Sequence, residues 1–124
     1  MTPFHSASHH GSTPKGLLDF AKINTYHHSL VAYFVNKLKN TPDGDGNLLD
    51  HSLVLYGSAM GDSNVHGHKR VPFTLIGHAS GGMKGNQHVK TEEGTPQANG
   101  LLSVLKALNV DVDAVGDSTG AFSI

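Results

Sequence analysis

The chain contains no cysteine. Disulfides, thiolate metal ligands and a cysteine nucleophile are thereby excluded. It has no excess of charge: nine Lys+Arg stand against ten Asp+Glu. That balance gives no basic field for a nucleic-acid partner and no charged tail. Aromatic residues make up 6% of the chain and are not interleaved with Lys or Arg, so there is no stacking platform for single strands. No stretch approaches the roughly 20 apolar residues of a membrane span. The first residues, Met1-Thr-Pro-Phe-His-Ser-Ala-Ser-His-His-Gly11, have no basic segment followed by an apolar core, so they do not read as a signal peptide. The expectation is a cytoplasmic protein or a chain whose native N-terminus lies further upstream.

What is abundant is histidine, ten residues, and glycine, fifteen, in a chain of 124, the length of one domain or part of one. The histidines fall in separate clusters, unlike a purification tag. The richest stretch lies between two apolar runs, Leu53 to Tyr56 and Val71 to Ile76. It reads Gly57-Ser-Ala-Met-Gly-Asp62-Ser-Asn-Val-His66-Gly-His68-Lys-Arg70. On an extended backbone His66 and His68 direct both rings to one side, and Asp62 and Asn64 share the alternation. Such nitrogen and oxygen donors suit zinc or another borderline transition metal. The plain alternative is a polar surface loop that happens to contain histidines. A second group is His5-Ser-Ala-Ser-His9-His10. In a helix, His5 and His9 lie one turn apart on one face, a spacing that serves two ligands of one metal. In a loop the spacing says less, and a polar N-terminus is the plain alternative.

Thr13-Pro14 is a helix start, with Thr as N-cap and Pro at the first helical position. Phe20, Ile23, Leu30, Phe34 and Leu38 recur at helical spacing, with Leu17 and Val31 beside them, and predict a helix over 14–39. Lys37 and Lys39 suit its C-terminal end, and Asn40 and Pro42 stop it. His27 falls on the apolar stripe and reads as a core or boundary residue with a satisfied ring rather than a ligand. Asp43, Asp45 and Asn47 alternate like the start of an EF-hand loop. The sixth position is Leu48 and the twelfth is Val54, so the segment reads as a tight turn instead. Ser52 to Tyr56 and Val71 to Ile76 predict two strands buried on both faces, as in a helix-covered parallel or mixed sheet. Gly81-Gly-Met-Lys-Gly85 lacks the Gly-Lys-Ser/Thr ending of a P-loop. His88 is placed in a short edge strand as exposed filler. Thr95-Pro96 predicts the start of a second helix with Leu101, Leu102, Leu105 and Leu108 on its apolar face, ending near Asn109. The order is α/β. Two strands are too few for a stable sheet, so residues 1–124 are expected to be one partial α/β domain. Its missing strands would come from upstream or from a partner.

Several motifs occur in order: His5-x-x-Ser8-His9-His10, Asp43-Gly-Asp-Gly-Asn-Leu-Leu-Asp50, Tyr56-Gly-Ser-Ala-Met-Gly-Asp62-x-Asn64-x-His66-x-His68, Gly94-Thr-Pro-x-Ala-Asn99 and Gly116-Asp-Ser-Thr-Gly120. Together they resemble the C-terminal part of a bacterial family of secreted proteins of unknown function named for its His-x-x-Ser-His-His motif. That family is distantly similar to the alkaline phosphatase and sulfatase superfamily. The resemblance implies the C-terminal portion of an alkaline-phosphatase-like mixed sheet flanked by helices, and a periplasmic or secreted protein. By position, His5 and His9 would match the superfamily's carboxylate-x-x-x-His motif, with His5 in place of the carboxylate. Asp62 would lie near its Asp-His pair, and His66 or His68 would match its late histidine. Gly57-Ser58-Ala59-Met60 stands where the superfamily has Asp-His after the strand, and its nucleophile belongs to an upstream segment.

The leading expectation is therefore part of a metal-dependent hydrolase acting on a small-molecule phosphate or sulfate ester. A divalent metal, zinc first and calcium or another ion as alternatives, would be held by His5, His9, His66 and His68, with Asp62 assisting. The missing upstream half of the domain would supply the nucleophile and the remaining ligands. The alternative is a non-catalytic metal-binding or structural module, and a third outcome is a phosphatase-like fold without a working site.

Overall fold

Thr13 begins the longest element as its sequence predicts. Its side-chain Oγ1 accepts a hydrogen bond from the Gly16 N–H at 3.1 Å, and its carbonyl accepts from the Leu17 N–H at 2.9 Å. In the computed structural model, which describes residues 3–124, this element is α2, Pro14–Lys39. It follows a one-turn helix, α1, Phe4–Ser8. The remaining elements are β1 (Pro42–Asp43), β2 (Gly46–Asn47), β3 (Leu53–Gly57), β4 (Phe73–Gly77), a 3-10 turn at Ala79–Gly81, and α3 (Ala98–Ala107).

The α/β composition is as expected, but the strands differ from the expectation. The described residues form two separate two-stranded pairs, β1 with β2 and β3 with β4, in place of one mixed sheet. Pro42 pairs with Asn47 and Asp43 with Gly46 in the antiparallel register, and the two-residue turn between them has Gly44 at φ 56°. The β3–β4 pair is also antiparallel. The Ala79 N–H reaches the Ser52 carbonyl at one end, and the Ser58 N–H reaches the Pro72 carbonyl at the other. Neither β3 nor β4 contains a fully buried residue, because a two-stranded ribbon offers too few neighbours to cover both faces. The segment holding His88 is irregular, not an edge strand, and Gly85 and Asn86 there have positive φ.

By its contacts the chain divides into two compact units. Unit 1 is the stretch up to Lys37 together with Gly57–Pro72. Unit 2 is Leu38–Tyr56 together with Phe73–Ile124.

Unit 2 has the better core. α3 contributes Leu102 and Ser103, each 2% exposed, along with buried Ala98, Asn99, Gly100 and Ala107. Withdrawing a leucine side chain from water contributes roughly 1.5–3 kcal/mol. Gly100 lies against the Phe73 ring so closely that an added Cβ would stand 3.0 Å from Cζ. The polar groups here are matched. Ser103 Oγ donates to the Asn99 carbonyl and accepts from the Phe122 N–H. Asn99 pairs with Thr119 through both its amide nitrogen and its amide oxygen. This brings together the Asn99 and Gly116–Gly120 motifs. α3 starts two residues later than its sequence predicts: Gln97 stands at the cap without a side-chain hydrogen bond, and the Thr95 hydroxyl donates to the Glu92 carbonyl.

Unit 1 is held differently. α2 has no fully buried residue. Phe20, Ile23 and Val31 of its stripe are half-buried, while Leu17, Leu30 and Phe34 are exposed. α1 packs against α2 through rings: Phe4 lies 6.0 Å from Phe20 and 5.2 Å from His27, centroid to centroid. His27 is thus a half-buried boundary residue, as its place on the stripe predicts. Among the described residues no helix is long and apolar enough to cross a membrane.

Candidate functional site

α1 places His5 inside a helical turn and His9 at its C-terminal cap, one turn apart. The backbone after it is fixed closely. The His10 carbonyl accepts from both the N–H and the hydroxyl of Thr13. It lies so near Gly16 that an added Cβ would stand 2.2 Å away. Only glycine allows that approach, which seats the His9–Gly11 segment on the first turn of α2.

The other half of the site is the loop from Gly57 to Pro72. Its stem is closed by the Gly61 and Asp62 N–H groups on the Gly67 carbonyl, and by the Gly67 N–H on the Asp62 carbonyl at 2.8 Å. Residues 63–66 form a turn, and His66 sits at φ 53°. The extended alternation expected for His66 and His68 is therefore absent. The bridge between Asp62 and Gly67 leaves four residues to reverse direction, which extended backbone cannot do.

These two segments meet. His9 Nε2 stands 3.2 Å from His66 Nε2, and the two rings are edge to face with centroids 4.8 Å apart. The His5 ring stacks on the other histidine of its segment, 4.9 Å from His9 between centroids. His9 Nδ1 lies 3.2 Å from the Asn64 carbonyl. A carbonyl oxygen only accepts, so Nδ1 carries the proton and, in the neutral ring, Nε2 is the bare nitrogen. His68 has the same arrangement, its Nδ1 donating to the Ala59 carbonyl at 3.0 Å. Backbone carbonyls holding Nδ1 and leaving Nε2 bare is the arrangement that orients histidines toward metals.

Of the five residues expected as ligands, His5, His9 and His66 are brought ring to ring. Asp62 and His68 are engaged by the loop's own backbone. Asp62 Oδ1 accepts from the Asn64 N–H at 2.9 Å, an Asx turn. Among the described residues, no group of three or more His, Asp or Glu side chains is gathered closely enough to hold a metal ion without adjustment. Two nitrogens, each about 2.0–2.1 Å from zinc, stand roughly 3.3 Å apart. That is close to the 3.2 Å observed between His9 and His66.

Unit 2 contains a different histidine arrangement that the sequence reading missed. His51 Nδ1 lies 2.9 Å from Asp43 Oδ2, and its Nε2 lies 3.2 Å from Asp45 Oδ1. A carboxylate thus faces each ring nitrogen, which favours the protonated ring. The Asp43 hydrogen bond is the main cause that raises the His51 pKa above its usual value. Burial opposes it, and the charges of Asp43, Asp45 and Asp50 reinforce it. The cluster opens on a cleft of about 560 Å³ shared with His78 and Ser80. The available signal was the pair of aspartates flanking a tight turn, with a histidine a few residues beyond it. The other missed feature is the Asn64 carbonyl, since a backbone atom leaves no mark in the residue types.

No family model, no curated protein and no solved structure matches this chain.

Proposed function

We propose that the chain carries a transition-metal site, with zinc as the first candidate. It would be held by His9 Nε2 and His66 Nε2, with His5 beside them, and the chain would be the metal-holding part of a hydrolase acting on phosphate or sulfate esters. One observation carries the metal assignment: two imidazole nitrogens 3.2 Å apart, one of them left bare by a carbonyl on its ring partner. Without a metal, the neutral His66 ring donates from Nε2 to the His9 lone pair. Its proton moves to Nδ1 when both lone pairs are needed. Imidazole donors favour a borderline transition metal over calcium, which takes oxygen ligands. A bound zinc would supply Lewis-acid polarisation of an ester oxygen and a water of lowered pKa. His9 and His66 would hold the metal. His68, whose Nε2 is bare in the neutral ring, and His5 are the candidates for further ligands.

The hydrolase class, the alkaline-phosphatase-like fold, membership of the His-x-x-Ser-His-His family and a periplasmic or secreted location rest on the ordered motifs alone. A specific observation favours a second reading. Gly57-Ser58-Ala59-Met60 supplies no Asp-His pair, which suits a metal-binding module without catalysis.

Calorimetric titration of the full chain with zinc tests the site. Near-stoichiometric binding is expected. His9→Ala and His66→Ala should each weaken it by at least the roughly 10- to 100-fold known for outer-shell partners alone. Unchanged zinc binding in the double variant would remove the assignment. Turnover of aryl phosphate or sulfate esters by the zinc-loaded full-length protein, upstream half included, separates the two functions, since zinc binding without turnover there leaves the non-catalytic module.

A further inference from the structure

We propose that Asn64 is the positioning residue of this histidine pair, fixing which nitrogen of His9 is bare and where it stands relative to His66. The inference rests on the metal assignment above, and its test is arranged so that the two fail separately. Asn64 uses three of its groups. Its backbone carbonyl accepts from His9 Nδ1 at 3.2 Å. Its side-chain Oδ1 accepts from the Gly11 N–H at 2.7 Å. Its own N–H is held by Asp62 Oδ1 at 2.9 Å. The first two bonds land on either side of His10, so the ring and the backbone of the His9 segment are gripped by one residue. That residue lies two positions before His66, in the same closed turn. The distance between the two ring nitrogens is therefore set through Asn64 more directly than through any other side chain of the loop.

Asp62 takes a different part from the one its carboxylate suggests. Its Oδ1 is spent on orienting Asn64, so it acts on the site through Asn64. Ser63 provides an internal control. Its Oγ donates to the Ser8 carbonyl at 2.8 Å, tying the same two segments without touching a ring.

Outer-shell groups that orient a ligating histidine typically contribute about 10- to 100-fold in metal affinity. The experiment combines zinc titration with nitrogen NMR of the histidine rings in the metal-free chain. In the wild type, His9 should be the Nδ1–H tautomer. Asn64→Ala keeps the backbone carbonyl but removes the Oδ1 that holds Gly11, so it should loosen the His9 ring from that carbonyl, weaken zinc binding by about 10- to 100-fold and turn His9 into a mixture of tautomers. Asn64→Asp keeps an acceptor for the Gly11 N–H and should restore both. Ser63→Ala, which leaves the carbonyl contact of His9 Nδ1 in place, should leave the His9 tautomer unchanged. An Asn64→Ala chain with wild-type affinity and wild-type tautomer would overturn the proposal. So would an Nε2–H tautomer of His9 in the wild type, whether or not the variants fold. If the wild type binds no zinc, the metal assignment falls and the tautomer alone decides the role of Asn64. A shift in Asn64→Ala then upholds it, and no shift overturns it.

Discussion

The two units use histidine in opposite ways. In unit 2, His51 has a carboxylate on each ring nitrogen, which favours the charged ring and occupies both atoms that could ligate a metal. In unit 1, His9 has a carbonyl on one nitrogen and another imidazole facing the second. A carbonyl fixes the tautomer without adding a charge, so the second nitrogen is left as a donor. The residue type is the same, and the partners decide whether both ring nitrogens are faced by carboxylates or one is left bare. The units also differ in how they are held. Unit 2 buries part of α3, whereas unit 1 depends on a capped helix, a few ring contacts and hydrogen bonds between two loops.

The largest effect should come from attacking the better core, that of unit 2. Leu102→Ala should cost about 2–5 kcal/mol, because it removes buried methyl groups and leaves a cavity. Leu30→Ala, at an exposed position of α2, should stay within about 0.5 kcal/mol. Denaturant titration followed by circular dichroism reads both. Equal costs would erase the contrast between the units.

Next in size is the cap. Thr13→Ala removes the acceptor of the Gly16 N–H and one of the two donors to the His10 carbonyl. It should cost about 1 kcal/mol. Because it loosens the segment next to His9, it should also weaken zinc binding, whereas Leu30→Ala should not. A capless variant with unaltered zinc affinity would mean that the first turn of α2 does not support the site.

The smallest effect is the pH dependence of the His51 clamp. The folded pKa of His51 is raised, first by the Asp43 hydrogen bond. Its contribution to stability is therefore full below the unfolded value of about 6.5 and is lost as the pH rises through the higher folded value. Melting temperatures measured from about pH 6 to about pH 8 should fall in the wild type relative to Asp43→Asn. The proton NMR midpoint of His51 should lie above about 6.5 in the wild type and drop in the variant. Identical midpoints would show that the carboxylate does not hold the ring.

Where sequence signals were local they located the fold well. Thr13, Pro14 and the apolar stripe fixed α2 because a cap and a period act within a few residues. The same cap-plus-proline signal at Thr95-Pro96 misplaced the start of α3: the N–H and hydroxyl of Thr95 both turn back to the Glu92 carbonyl, and the helix cap falls on Gln97. β1 and β2 fall in the segment read as a tight turn, whereas β3 and β4 were found within one or two residues. Their burial was overstated, because a run of apolar residues does not report how many neighbours a strand will have. For the site, histidine clustering drew attention to both segments. The contact between His9 and His66 spans 57 positions, which spacing cannot reveal. The paired use of Asn99 and Thr119 was foreshadowed only as two motifs near the end of the chain.

The stem of the 57–72 loop has a consequence beyond the histidines it carries. An added Cβ at Gly61 would stand 2.0 Å from the Lys69 carbonyl, so the two strands of the stem touch across a hydrogen atom. Closure depends on that contact and on backbone bonds between residues 61, 62 and 67, and not on the side chains of the turn. A tetrapeptide grafted at 63–66 whose last residue accepts the positive φ of His66 would meet the same backbone neck, whereas a single methyl group at Gly61 would pry the neck apart with every turn residue unchanged.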